Sequence, residues 1–204
     1  MMTLFEYDAE FRKNCGVFCG IDEAGRGPLA GDVYAAAVML PEGIVIDGLN
    51  DSKKLSGKKR ELLYGMIIEK AEAYGIGTAS VEEIDSINIL QATFLAMKRA
   101  VNGLGDREFT ALVDGNAVPP LGCEVKTLVK GDGISASIAA ASIIAKVERD
   151  RYMKRLSDEY PQYMFEKHKG YGTKLHYELI NKYGVSPVHR KSFLRKFFAE
   201  GGGL

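Results

Sequence analysis

The chain has no tryptophan, three cysteines, three histidines and no surplus of charge: 27 Lys and Arg balance 27 Asp and Glu over 204 residues. Each shortage excludes something. Cys15, Cys19 and Cys123 are an odd number with neither a Cys-x-x-Cys nor the Cys/His spacing of a zinc site, so free thiols in a reducing cytoplasm are expected and a disulfide framework is not. The neutral balance gives no bulk attraction to a polyanion, and any such site must come from local clustering. The longest uncharged stretches, about residues 33–41 and 133–145, are too short to cross a bilayer. Glu6, Asp8 and Glu10 stand where a secretory leader would need a basic head and an apolar run. What remains is an ordinary globular composition, 46% hydrophobic and 26% charged, long enough for one sizeable core.

The stretch that stands out is residues 20–31, Gly-Ile-Asp-Glu-Ala-Gly-Arg-Gly-Pro-Leu-Ala-Gly. Asp22 and Glu23 follow an apolar run and lead into a glycine-rich turn with one arginine. Successive strand residues face opposite sides, so these two carboxylates are expected to serve one centre only if the strand ends or bends between them. Gly25 and Gly27 let the backbone approach a ligand, and Arg26 between them offers a fork of donors suited to phosphate.

Along the chain, residues 1–14 read as a short helix or arm. Apolar runs at 17–21 and 33–40 read as neighbouring strands joined by the glycine-rich loop. Residues 51–60 hold five basic residues in ten and precede a helical pattern over 61–74, with Leu62, Leu63, Met66 and Ile67 in phase. A strand is expected at 75–79. Ser80 and Glu83 fit a capping box for a helix reaching about residue 104, whose apolar positions are Ile87, Leu90, Phe94, Leu95 and Met97. Strands at 109–113 and 125–129 each deliver a carboxylate at the C-terminal end, Asp114 and Asp132, the edge where α/β sheets usually hold ligands. A helix over 135–160 has a small, apolar first half that should be buried and a charged second half that should emerge into solvent. Residues 165–198 contain eight Lys/Arg against two Glu and all three histidines, with Tyr171, Tyr177, Tyr183, Phe193, Phe197 and Phe198 interleaved, and helices are expected near 173–183 and 191–199. The alternation favours an α/β fold with helices layered on a sheet.

Four acids, Asp22, Glu23, Asp114 and Asp132, thus stand at strand ends or loop entries. Together without a cation they would repel one another. Oxygen-only ligands suit Mg²⁺ or Mn²⁺ rather than zinc, and such ions can activate water and stabilise a leaving oxygen.

With these residues in view, the sequence from Val17 to about Phe193 resembles bacterial ribonuclease HII, the type 2 ribonucleases H. The resemblance rests on residues 20–31, Asp51-Ser52-Lys53-Lys54-Leu55, Val113-Asp114-Gly115-Asn116, Lys130-Gly131-Asp132, the run 139–150 (Ala-Ala-Ala-Ser-Ile-Ile-Ala-Lys-Val-Glu-Arg-Asp) and His168-Lys169-Gly170-Tyr171-Gly172-Thr173. It implies a ribonuclease H-like fold with a mixed central sheet flanked by helices (residues 1–160) and a small helical C-terminal substrate-binding region (161–204). It also implies hydrolysis of the RNA strand of RNA·DNA hybrids, including a cut 5′ of single ribonucleotides in duplex DNA, giving 3′-hydroxyl and 5′-phosphate ends. The family's catalytic metal carboxylates fall on Asp22, Glu23, Asp114 and Asp132, its 2′-hydroxyl-sensing segment on Gly25, Arg26 and Gly27, and its substrate tyrosine on Tyr171. One ion, Mn²⁺ or Mg²⁺, is expected on Asp22, Glu23 and Asp114 and a second on Asp22 and Asp132.

The basic runs would hold phosphates, with Lys53, Lys130 and Lys146 as the nearest lysines. Asp150 is expected as a solvated ion pair away from the centre. The histidines have no metal spacing, though His168 is near enough to Tyr171 to line the groove. Phe193, Phe197 and Phe198 could dock on a sliding clamp, with helix packing the favoured reason for them. A cytoplasmic monomer is expected. Two alternatives remain at this level: a non-catalytic hybrid-binding protein, against which the intact acid set counts, and a nuclease of the sister type ribonuclease HIII, against which Arg26 and the short segment before the first strand count.

Overall fold

The structure, a computed structural model, describes residues 2–199 and 201. Five strands, β1 (Phe18–Ala24), β2 (Val33–Met39), β3 (Ala73–Ala79), β4 (Thr110–Asp114) and β5 (Glu124–Leu128), form one sheet in the order β3-β2-β1-β4-β5. β2 runs antiparallel to β1 and β3, whereas β1, β4 and β5 are parallel. The sheet is therefore mixed, as expected. Two-residue alternation divides β2: Val33, Ala35, Ala37 and Met39 face one layer, and Ala36 and Val38 the other.

The first layer is helix α3 (Val81–Asn102), packed through Ala92, Ala96, Met97 and Ala100. The second is α4 (Ala136–Glu159), joined by α2 (Gly57–Lys70) through Leu63 and Ile67. Small residues set the spacing. A Cβ on Gly20 would lie 2.1 Å from the Ser137 carbonyl carbon, and one on Gly77 would lie 2.1 Å from the Ala96 oxygen, so α4 and α3 rest on bare strand backbone. The N-terminal helix α1 (Leu4–Cys15) is pinned to α4 by Asp8, which accepts hydrogen bonds from the Ser135 hydroxyl and from the Ser137 amide and hydroxyl.

Helix boundaries follow caps. α2 starts at Gly57, earlier than its apolar period suggests, because the Ser56 side chain accepts from the Lys59 amide; Leu62 points outward at 66% exposure. α3 has the expected capping box, but Asn88 breaks it with φ 66° and ψ 165° and recaps the rest through the amides of Leu90 and Gln91. That break shifts the phase, which leaves Ile87 and Leu90 exposed. The expected emergence of α4 into solvent does not occur. Arg149, Met153, Leu156 and Ser157 are buried, since the C-terminal segment folds back over this half. That segment comprises α5 (Phe165–His168), α6 (Lys174–Tyr183) and α7 (Lys191–Ala199). On α7, Leu194, Phe193 and Phe197 pack against Leu29 and Ile180, while Phe198 is exposed.

Candidate active site

At the C-terminal ends of β1 and β4, a cleft of about 250 Å³ is lined by Asp22, Glu23, Asp114, the Gly25-Arg26-Gly27 turn, Lys53, Lys146, Arg149 and Tyr171. Parallel pairing of Ile21 with Val113 sets Asp114 beside Asp22. Asp132 arrives from a short turn, Gly131–Gly133, whose first amide donates to Asp114 Oδ1 at 2.6 Å. The expected bend between Asp22 and Glu23 is absent: β1 stays paired with β2 through Glu23–Ala35 and Ala24–Tyr34. Both carboxylates reach the cleft because it straddles the strand end, and the Glu23 amide donates to Asp22 Oδ1 at 2.7 Å.

Burial raises the affinity of Asp22 for a proton well above the usual carboxylate range, and Glu23 and Asp114 add to this while a hydrogen bond from Ser142 opposes it. Ser142 in turn shares a 2.9 Å hydrogen bond with Ser52, which ties α4 to the loop before α2. Glu23 is also raised by burial, with Arg26 opposing at 3.2 Å. Asp114 is raised by burial, with the Gly131 amide opposing. Asp132 is bound by Lys53 at 2.9 Å, and that hydrogen bond raises the lysine.

Asp22, Glu23 and Asp114 therefore line one cleft, while Asp132, buried next to Asp114 through the Gly131 turn, does not line it, and each of the four has its own donor. Among the described residues no three His, Cys, Asp or Glu side chains are grouped closely enough to hold a metal ion as they stand. The donor set still fits a hard divalent cation. It is all oxygen, with no histidine or cysteine in the cleft, and it concentrates negative charge where burial disfavours it.

The other wall is the loop 25–31. Gly25 has φ 97°, and a Cβ there would lie 2.0 Å from Arg149 Nε, so no other residue fits. Tyr171 is 45% exposed and approaches Gly27, where a Cβ would sit 3.7 Å from its ring. The Leu29 amide donates to the Gly170 carbonyl at 2.7 Å, which couples the two segments.

Two buried arginines hold this wall, and neither was legible as such in the sequence. Arg149 donates to the carbonyls of Ala30, Asp32 and Lys169. Arg190, which reads as part of a basic surface run, is fully buried and donates to the carbonyls of Gly25, Arg26, Pro28 and Gly31 at 2.6–3.0 Å. Burial lowers its pKa to about 9, which leaves it charged at neutral pH. No sequence signal separates Arg190 from its basic neighbours, although Arg149 and Ser142 lie in a run already singled out.

Other expected residues fall elsewhere. Lys130 is exposed in a left-handed turn with φ 59° and does not line the cleft. Lys146 does line it, but its ammonium is bound to Asp150 at 2.5 Å, and burial lowers its pKa. Asp150 does form an ion pair, but one only partly solvated. It is mostly buried between Lys146 and Arg60, because α2 packs over this turn of α4. His168 does not line the groove: it is buried, bonded to the Tyr163 carbonyl and stacked on His176.

The profile of the ribonuclease HII family matches residues 19–199. The chain is 56% identical over 178 residues to ribonuclease HII of Shewanella halifaxensis, which covers 87% of this chain and 88% of that protein. Among solved structures, it resembles ribonuclease H2 of Pyrococcus horikoshii with a TM-score of 0.73 and 27% identity, over 90% of this chain and 98% of that one. It also resembles the Archaeoglobus fulgidus chain from a PCNA:RNase HII complex with a TM-score of 0.67 and 27% identity, over 85% and 93%. A matched family profile spanning nearly the whole chain, on a fold shared with these nucleases, places this protein in the ribonuclease HII family, as a metal-dependent ribonuclease H.

Proposed function

We propose that this cleft hydrolyses the RNA strand of RNA·DNA hybrids and also cuts 5′ of a single ribonucleotide in duplex DNA, leaving 3′-hydroxyl and 5′-phosphate ends. The observation that supports it best is the juxtaposition, in one cleft, of buried carboxylates with a glycine turn that brings bare backbone to the cleft wall. Asp22, Glu23, Asp114 and Asp132 are the residues that would hold Mg²⁺ or Mn²⁺. When bound, such ions acidify a water molecule and offset the charge that builds on the leaving oxygen.

The remaining roles belong to the chain itself. The Gly25-Arg26-Gly27 backbone senses the 2′-hydroxyl, the one group that distinguishes RNA from DNA at a single nucleotide. Tyr171, exposed beside Gly27, stacks on the neighbouring sugar or base. Arg26 and Lys53, with charged ends open to solvent, meet phosphates; their present partners, Glu23 and Asp132, are the carboxylates that turn to the cation. Lys146, which lines the cleft, and Lys130, outside it, would meet phosphates near the cut, and residues 161–204 serve as the substrate-binding region. The chain acts as a cytoplasmic monomer, with the exposed face of α7 around Phe198 as the place where a sliding clamp would dock.

The test is a DNA duplex with one ribonucleotide, incubated with Mg²⁺ and with Mn²⁺. A single cut immediately 5′ of the ribonucleotide, with an all-DNA duplex intact, is the expected result. Cleavage only within longer RNA tracts would reject the single-ribonucleotide activity.

A further inference from the structure

Five hydrogen bonds from one buried side chain to the loop that senses the sugar suggest more than packing. In a trans peptide the C=O of one residue and the N–H of the next point in opposite directions. Arg190 draws the carbonyls of Gly25 and Arg26 inward at 2.7 and 3.0 Å. The amides of Arg26 and Gly27 must then point outward, toward the cleft these residues line. The bonds that anchor the loop use its carbonyls and the amides of Leu29 and Gly31, not those two amides. The loop is also stitched to the C-terminal segment by Arg190 N–H to Leu29 O, Gly31 N–H to Val188 O and a bridge between Ala30 and His189.

We infer that Arg190 is a positioning residue for ribose recognition: by gathering the inner carbonyls of the glycine turn, it presents the Arg26 and Gly27 amides as a preformed donor pair for the 2′-oxygen of the substrate. The inference rests on the 2′-hydroxyl reading of the loop given above. It explains why an arginine with no carboxylate bonded to it among the described residues is fully buried here. Five donors in a rigid fork satisfy four carbonyls at once, which a lysine cannot do.

The test compares binding of two duplexes, identical but for one ribonucleotide in place of a deoxyribonucleotide, with Ca²⁺ as the only divalent ion, by wild-type chain and Arg190→Lys. Wild type is expected to prefer the ribonucleotide duplex by about 10-fold or more, and Arg190→Lys to lose most of that ratio while its affinity for the all-DNA duplex stays within about twofold. An unchanged ratio in a folded Arg190→Lys chain, or an equal loss for both duplexes, would overturn the inference. A wild-type ratio near one would instead remove the 2′-hydroxyl reading of the loop, and this inference with it. Should Arg190→Lys fail to fold, hydrogen exchange of the wild-type chain decides. The Arg26 and Gly27 amides are expected to exchange freely alone and to gain protection with the ribonucleotide duplex but not the all-DNA one; protection already complete in the free chain overturns the inference.

Discussion

Asp22 is the residue on which the site most depends. It is 4% exposed, beside two other carboxylates, and it reaches the cleft from the interior strand of the sheet. Asp22→Asn keeps its shape and removes its charge, so cleavage is expected to fall by roughly three orders of magnitude or more while hybrid binding largely persists, measured by single-turnover kinetics beside a binding titration. Near-normal turnover would remove Asp22 from the catalytic set. Gly25 is constrained for two reasons at once, a positive φ and the side chain of Arg149 beneath it. For Gly25→Ala the left-handed backbone costs about 1–2 kcal/mol, and displacing a buried guanidinium costs more. A melting temperature lowered by roughly 5–10 °C is expected, with loss of cleavage. A stable, active Gly25→Ala chain would show that the loop has another conformation to use.

Among the helices and strands, glycine has opposite meanings in different places. Gly77 in β3 lies under α3, where a Cβ would meet the Ala96 oxygen at 2.1 Å and the Ala100 nitrogen at 2.5 Å, both backbone atoms that cannot swing aside. Gly65 lies within α2 with nothing within 4 Å of an added Cβ. Gly77→Ala is therefore expected to destabilise by about 3 kcal/mol, as overpacking does, and Gly65→Ala to stabilise by about 0.5–1 kcal/mol through a less flexible unfolded chain. Paired urea titrations of the two variants check both signs. Equal effects would mean that α3 does not rest on β3 as described.

Seen as a whole, the molecule holds its C-terminal segment together through a buried cluster of three histidines, His168, His176 and His189. The Ser186 amide donates to His189 Nδ1, His189 Nε2 lies 3.1 Å from His176 Nε2, and His176 Nδ1 lies 3.0 Å from the Tyr171 carbonyl. One consistent set of neutral tautomers satisfies this chain, with His189 donating to His176 and His176 to Tyr171. Burial, and the mutual repulsion of the rings, lowers His176 and His189 to about 4. The unfolded chain takes up protons near pH 6.5, which the folded chain refuses until about pH 4. Stability is thus lost as pH falls through that window and changes little below it, by up to roughly 3 kcal/mol per ring. Replacing His189 with Gln removes one such group, so the loss between pH 7.5 and 5.0 is expected to shrink by about 1–3 kcal/mol relative to wild type in chemical denaturation. Parallel pH profiles for the two chains would contradict a neutral buried cluster.

Most elements were legible because their causes are local. Ser80 with Glu83 forms the capping box that opens α3, Ser135 and Thr173 stand at the expected starts of α4 and α6 and accept from amides inside them, and the alternation in β2 assigns its two faces. The acids at the ends of β1 and β4 could be placed on one edge for the same reason, since strand direction and a βαβ-like order are readable from spacing. Three features could not be read that way. Whether Asp22 and Glu23 need a bend depends on where the cleft opens, and that is decided by the loops around the strand end. Whether Ile87 and Leu90 face inward depends on the helix break at Asn88, which shifts the phase of everything after it and leaves no mark in the apolar spacing. Arg149 and Arg190 look like any surface cations until a distant loop turns carbonyls toward them. A carbonyl left bare inside the protein is costly, so the chain buries a cation to satisfy it, and only the three-dimensional path of that loop determines which one.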